Sequence, residues 1–264
     1  MITEWWKGLQ RLVYDRPLKA DFLIHGRYKI KEVLGMGSYG ITYIAVDIQT
    51  KEAIVLKQLR TTKAKTDSGL HSFQRESQML KALQHQHVPK LLDEFQNEHG
   101  FFIAMEWING DTFEDLIFRD QKTYSEEETI QLLVELLNIV ENFHEKGIIH
   151  RDLRIPNIIL RDGKLHIIDF GLACYVTDKE IQDPDDHPEK LRMREISVIS
   201  DLFALGHFAL FLLYSSYEPQ SRKEKSWEEE LDISQSLKTI LRKMLQLDEP
   251  FHSVEKARTA ITSI

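Results

Sequence analysis

The chain has 264 residues, with 34 basic and 42 acidic side chains, a formal net charge of −8, and 42% hydrophobic and 29% charged residues. That balance excludes wholesale disorder and allows one large domain or two small ones. The excess of acid argues against general nucleic-acid binding, and the single cysteine, Cys174, excludes an internal disulfide or a multi-cysteine zinc site.

The apolar run from Leu202 to Leu213 is interrupted by Gly206 and His207, and it falls short of the roughly 20 residues a membrane-crossing helix needs. Glu4, Lys7 and Arg11 break up the apolar residues at the N-terminus, unlike a signal peptide. The expectation is a soluble, cytoplasmic protein.

Residues 3–14 place Trp5, Leu9, Leu12 and Val13 on one face of an amphipathic helix, which Arg16-Pro17 ends. Its apolar face suits docking against the domain that follows, with a partner or membrane surface as the alternative. From Tyr28 to Leu59 the pattern becomes strand-like, in the runs YKIKEVLG, ITYIAVD and AIVLKQL. A helix is expected over His71–Leu83, then strands near Lys90–Phe95 and Phe101–Trp107.

After Asn109-Gly110 the character turns helical. Ser125 with Glu128 forms a capping-box signal, and Leu133, Leu136, Leu137, Val140 and Phe143 recur at helical spacing. Short strands flank the Asp162-Gly163 turn, and a polar stretch runs from Thr177 to Glu195. Helices near Val198–Tyr214, Trp227–Leu231, Gln235–Leu247 and Val254–Ile264 complete the chain. The reading is α+β: a small sheet lobe with one internal helix, then a larger helical lobe, with a cleft between them. The expected division is 1–26 for the N-terminal helix and linker, 27–108 for the first lobe and 109–264 for the second.

Gly35, Gly37 and Gly40 fit G-x-G-x-x-G. The usual dinucleotide-binding version of that motif opens a helix, whereas here another strand follows. A glycine-rich hairpin instead suits a flap whose backbone N–H groups approach phosphates closely. Lys57 ends a strand, and Glu76 shares a helix face with Phe73, Leu80 and Leu83. A carboxylate on an apolar face needs a cation, and Lys57 is the candidate. Further on, HRDLRIPN (residues 150–157) supplies Asp152 and Asn157, and Asp169-Phe170-Gly171 ends the next strand. Two carboxylates and an amide oxygen on neighbouring loop ends make a hard-oxygen site suited to Mg²⁺.

With these five pieces in this order, residues 27–262 resemble the eukaryotic-type (Hanks-type) Ser/Thr protein kinases, and among them the short soluble bacterial kinases of the YbdM-like group. The resemblance implies a bilobal kinase fold that holds ATP between its lobes. Gly35, Gly37 and Gly40 would cover the phosphates, and Lys57, paired with Glu76, would hold them. Asp152 would orient the acceptor hydroxyl, and Arg154 stands where a lysine near the γ-phosphate is usual. Asn157 and Asp169 would bind Mg²⁺, with Mn²⁺ as an alternative. Leu34, Thr42, Val55, Met105, Glu106, Ile108 and Ile159 would complete the nucleotide site, with Met105 as gatekeeper. Leu80, Leu92, His150 and Phe170 match an apolar stack joining the lobes, and Asp201 matches a buried helix aspartate bracing the catalytic loop.

The departures from the family pattern are Arg154 for lysine, Thr42 for valine, Val55 for the alanine that roofs adenine, and His187-Pro188-Glu189 for Ala-Pro-Glu. His252 stands where the arginine partner of that glutamate is expected. Thr177, Ser197 and Ser200 are candidate phosphate acceptors in the segment after Asp169. The expected activity is transfer of the γ-phosphate of ATP to protein Ser/Thr hydroxyls, including autophosphorylation. Its partners are ATP and protein substrates of unknown identity, with no nucleic acid and no stable membrane insertion; the oligomeric state is left open. The alternatives are a pseudokinase scaffold and a small-molecule phosphotransferase of the same fold.

Overall fold

The computed structural model describes residues 15–37, 40–179, 188–219 and 225–264. The amphipathic helix expected over residues 3–14, the loop tip at Ser38-Tyr39, and His187 lie outside the described residues. The chain divides into two compact units, Met1–Ile108 and Asn109–Ile264.

The first unit is a six-stranded sheet of order β1-β2-β3-β4-β6-β5: β1 (Leu23–Ile24), β2 (Tyr28–Met36), β3 (Gly40–Asp47), β4 (Ala53–Leu59), β5 (Leu91–Asn97) and β6 (Gly100–Glu106). Every adjacent pair is antiparallel. The period-2 alternation sorts the side chains between two faces. One face carries a fully buried cluster that includes Tyr28, Ile30, Tyr43, Ala45, Ile54, Leu56 and Phe102. Burying each large apolar side chain there contributes about 1.5–3 kcal/mol. The linker after residue 15 belongs to this unit: Ile24 joins the cluster, and the Leu18 N–H donates to the Tyr43 hydroxyl at 3.1 Å.

Between β4 and β5 lie α1 (Thr61–Ala64) and α2 (Asp67–Leu83). The Thr66 hydroxyl caps α2 by accepting the Gly69 N–H at 3.2 Å. That cap starts the helix one turn earlier than the apolar periodicity predicts.

The second unit carries short strands β7 (Asp111–Thr112), β8 (Ile148–Ile149), β9 (Ile158–Arg161), β10 (Lys164–Ile167) and β11 (Cys174–Tyr175). Its helices are α3 (Glu126–Glu145), α4 (Pro188–Arg194), α5 (Val198–Tyr214), α6 (Trp227–Glu230), α7 (Gln235–Met244) and α8 (Val254–Thr262). The capping box forms as the sequence suggests: the Glu128 N–H donates to the Ser125 hydroxyl at 3.1 Å, and the Ser125 N–H to the Glu128 carboxylate at 2.8 Å. Helix α4 falls inside the stretch expected to be polar and irregular.

Candidate active site

In the sheet unit, pairing of β3, β4 and β6 aligns Thr42, Lys57 and Ile103 in one row and Ile44, Val55 and Met105 in the next. Val55 and Lys57 therefore sit on the face opposite the buried cluster, two residues apart on one strand. The Lys57 ammonium lies 2.6 Å from one carboxylate oxygen of Glu76 and 2.8 Å from the other. With side-chain exposures of 16% and 3%, this is a nearly dry ion pair. It joins the strand to α2.

Gly35 pairs with Thr42 across the hairpin, and the Gly37 N–H donates to the Gly40 carbonyl at 2.9 Å. A side chain at Gly40 would meet the Gln58 carbonyl at 2.9 Å, so close packing on β4 requires glycine there. Leu34 and Met36 on β2 are exposed, an unusual position for large apolar side chains. Met105 and Ile108 are buried, and the Glu106 N–H donates to the Lys90 carbonyl at 2.8 Å.

In the helical unit, the loop after β8 fixes a carboxylate. The Asn157 amide nitrogen donates to both the Asp152 carbonyl, at 2.9 Å, and the Asp152 carboxylate, at 2.8 Å. Arg154 adds a two-point contact to the same carboxylate, at 2.6 and 3.2 Å. With Nδ2 committed twice, the Asn157 Oδ1 is the acceptor left for a cation. The Ile168 N–H donates to the Asn157 carbonyl at 2.9 Å, which sets Asp169 beside this loop. Asp169 is exposed, with φ +60°, the left-handed region that non-glycine residues seldom occupy. Phe170 is fully buried, edge-on to Phe143 and to His150. Ile159 is buried on β9, opposite His166 and Thr112.

Asp201, fully buried on α5, braces the loop from below. Its carboxylate accepts the His150 N–H at 2.9 Å and the Arg151 N–H at 2.8 Å, and lies 2.8 Å from the His144 ring nitrogen. Burial works against ionisation of Asp201, yet the bond to His144 and the His150 N–H together hold its pKa below the usual carboxylate value. Burial pushes the His150 pKa down against the pull of Asp201, Asp152 and Asp169, so this ring is neutral. Sequence reasoning missed His144. Its signal was a histidine next to Phe143, at the end of the apolar stripe of α3. Arg151, with φ +67°, donates to the carbonyls of Arg194 and Leu172.

Three expectations are corrected. Leu92 is 44% exposed and does not join an apolar stack; β5 bulges between Leu91 and Asp93, which turns Leu92 outward. Ser200 is completely buried, and Ser197 caps α5 by accepting the Ser200 N–H at 3.3 Å, so neither is an open acceptor. His252 does not meet Glu189: it is an exposed residue 3.1 Å from Glu249 in its own turn. The charge of Glu189 acts on His207 instead, where burial lowers the imidazole pKa and Glu189 opposes that shift.

A carboxylate at Asp169 and an amide oxygen at Asn157 suit a hard divalent cation, which prefers oxygen ligands and keeps several waters. Among the described residues no group of three or more His, Cys, Asp or Glu forms a metal cluster. Asp169 and Asn157 would hold such a cation, with substrate oxygens and water as its further ligands.

A sheet unit with a dry Lys–Glu pair beside a glycine hairpin, and a helical unit whose loop fixes a carboxylate, each carry features of a phosphotransferase. Residues 28–260 match the family described as "Protein kinase domain", and the chain belongs to that family. It is 38% identical over 252 residues to the "Probable serine/threonine-protein kinase YbdM" of Bacillus subtilis (strain 168), covering 96% of this chain and 94% of that protein. It is 30% identical to "Serine/threonine-protein kinase B" of Synechocystis sp., over 85% of this chain but 44% of the relative's length. The crystal structure of the Mycobacterium tuberculosis PknI kinase domain, C20A mutant, superposes with a TM-score of 0.71 at 21% identity, covering 94% of this chain and 99% of that one. Family membership implies use of ATP and a divalent metal on protein substrates. No helix among the described residues is long and apolar enough to cross a membrane.

Proposed function

We propose that this chain transfers the γ-phosphate of ATP to serine or threonine hydroxyls of proteins, with Mg²⁺ as the metal. The observation that carries the reading is the Asp152 carboxylate, held by Asn157 at 2.8 Å and by Arg154 at 2.6 Å inside a chain that belongs to the protein kinase family. Asp152 accepts a hydrogen bond from the acceptor hydroxyl and takes its proton as the new bond to the γ-phosphorus forms and the bond from that phosphorus to the bridging oxygen breaks, releasing ADP. Lys57, kept in place by Glu76, positions the phosphates, while the Gly35, Gly37 and Gly40 backbone lies over them without side chains. Asp169 and Asn157 would hold the metal, which when bound would supply charge neutralisation at the phosphate oxygens. Arg154 adds a positive charge beside the transferring group. Leu34, Thr42, Val55, Met105, Glu106, Ile108 and Ile159 form the walls of the nucleotide site.

The single cysteine supports a cytoplasmic location, and the two compact units support the boundary at residue 108, with the linker after residue 15 part of the first. Incubation with γ-labelled ATP, Mg²⁺ and a generic protein acceptor, followed by phosphoamino-acid analysis, tests the reading. Label on serine or threonine is expected, abolished in Asp152→Asn. Label on tyrosine alone, or tight nucleotide binding with no transfer, would overturn it.

A further inference from the structure

Helix α2 lies on the sheet face that carries Lys57, and besides the Lys57–Glu76 pair another polar contact fastens it there. Glu94 on β5 accepts the Ser77 hydroxyl and the Lys81 ammonium through one oxygen, Oε2, each at 2.8 Å. Ser77 is 1% exposed, so its bond to the carboxylate is a nearly dry, charge-assisted one. Lys81, with 57% of its side chain exposed, contributes little by itself.

Strand register explains why Glu94 is available. Pairing across β3, β4, β6 and β5 runs Thr42, Lys57, Ile103, Glu94, so these four side chains share one face. The bulge between Leu91 and Asp93 sets that phase, and the next residue, Phe95, packs on the buried cluster of the other face. Lys57 and Glu94 stand two strands apart, about 10 Å, with the fully buried Ile103 between them. On the helix, successive residues are about 100° apart. Glu76 and Ser77 therefore leave opposite flanks of the stripe made by Phe73 and Leu80.

Either contact alone leaves α2 able to roll about its axis. Contacts on opposite flanks stop the roll, and that roll is what carries the Glu76 carboxylate toward or away from Lys57. We propose that Glu94 is a positioning residue for phosphotransfer: through Ser77 and Lys81 it holds α2 at the rotation where Glu76 meets Lys57. This rests on the reading above, in which Lys57 positions the ATP phosphates. Removing Glu94 does not strand the Ser77 hydroxyl, whose single proton turns to the Gln74 carbonyl, 3.0 Å away in the same helix. Loss of Glu94 thus frees the helix without leaving a buried polar group unpaired, and the variant should fold.

Initial rates of transfer from γ-labelled ATP to a generic protein acceptor, taken well below the melting temperature of each protein, test this. Glu94→Ala should lower kcat/KM for ATP about tenfold, the equilibrium value of one hydrogen bond to a charged group. Ser77→Ala should act in the same direction with no change of charge, and Glu98→Gln, on the exposed turn after β5, should have no effect. The double variant Glu94→Lys/Lys81→Glu restores an ion pair between the same positions and should recover most of the activity that Glu94→Lys loses. In a Glu76→Gln background the rotation of α2 no longer serves Lys57, so adding Glu94→Ala should change the rate less than about twofold. Amide hydrogen exchange without nucleotide gives a readout independent of activity: α2 should exchange faster in Glu94→Ala while β2, β3 and β4 keep their protection. Wild-type rates in Glu94→Ala, a tenfold loss repeated in the Glu76→Gln background, or unchanged protection of α2 would each overturn the proposal. Asp152→Asn, assayed alongside, separates two failures. If it is silent while Glu94→Ala transfers like wild type, the positioning role alone falls. If it transfers like wild type, the reading of the catalytic site falls and the positioning role with it.

Discussion

Arg154 holds the Asp152 carboxylate by two hydrogen bonds, at 2.6 and 3.2 Å, from a side chain that is itself 53% exposed. The pairing orients the carboxylate from the solvent side while Asn157 orients it from within. Replacing Asp152 by Asn keeps the size and the hydrogen-bond framework but removes the proton acceptor. Asp152→Asn should retain nucleotide binding and lower phosphotransfer by about 10²–10⁴-fold. Equal turnover in the two proteins would contradict the assignment. Arg154→Lys keeps the charge but not the two-point geometry, and should fall between wild type and Arg154→Ala in initial-rate assays.

The Lys57–Glu76 pair sets up a test that separates folding from catalysis. Lys57→Met leaves a buried carboxylate without its cation, a loss on the order of 3–5 kcal/mol for a buried pair. Adding Glu76→Leu removes the stranded charge and should restore much of the stability without restoring phosphotransfer. Denaturant melts and activity assays on the two variants check both halves; recovery of activity in the double variant would contradict the proposed role of Lys57.

Val55 stands between Ile44 and Met105 in the strand register, half-buried on the face that carries Lys57. If adenine packs on this face, Val55→Ala removes two methyl groups from a crowded roof, where overpacking costs about 1–3 kcal/mol. ATP affinity measured by calorimetry should rise up to about tenfold. Unchanged or weaker affinity would place the ring elsewhere.

Stability should fall in mild acid, and the sign follows from two buried rings. Burial lowers the folded-state pKa of both His150 and His207 below the ordinary imidazole value of 6.5, so the unfolded chain takes up protons that the folded chain refuses. Their contribution is fully present above pH 6.5 and is lost as pH falls toward the lowered folded values. Asp201 has the same sign at lower pH: its depressed pKa stabilises above 3.8 and the contribution is lost as pH falls through the folded value. His150→Phe should therefore show a smaller drop in melting temperature between pH 7.5 and 5.5 than wild type does. An identical drop would mean that His150 is not the neutral buried ring described above.

Arg151 already donates to the carbonyls of Arg194 and Leu172, so part of its guanidinium is held without any phosphate. Thr177 is the one exposed candidate acceptor in the described part of the segment after Asp169. Thr177→Ala should keep basal phosphotransfer within about twofold of wild type. Complete loss in a folded Thr177→Ala protein would show that a loop phosphate is needed after all. Ser197→Ala should instead cost about 1 kcal/mol of stability, the usual value of a helix cap.

Local chemistry was legible where it sits in adjacent residues. Ser125 and Glu128 form the capping box, α5 runs over the predicted Val198–Tyr214, and an apolar-face carboxylate at Glu76 finds its cation in Lys57. What escaped depends on contacts distant in sequence or on geometry that periodicity does not carry. Two consecutive leucines hide the bulge between Leu91 and Asp93, so matching the family pattern gives no sign that Leu92 turns outward. The two-residue strand Leu23–Ile24 is too short to leave a pattern. His252 matches a position in the family pattern, but nothing in the sequence specifies that Glu249 is its partner. The Asp201 bonds to His150, Arg151 and His144 join segments 50 or more residues apart.

The division of labour between Asp152 and Asp169 is the centre of the account, and one paired measurement tests it most directly. Metal-dependent binding of ATP and single-turnover transfer of its labelled γ-phosphate to a protein acceptor would be followed in wild type, Asp152→Asn and Asp169→Asn. Asp152→Asn should bind ATP with the wild-type metal dependence and fail in transfer, whereas Asp169→Asn should lose the metal-dependent part of binding itself. If both variants bind and transfer like wild type, these residues do not carry the phosphotransfer.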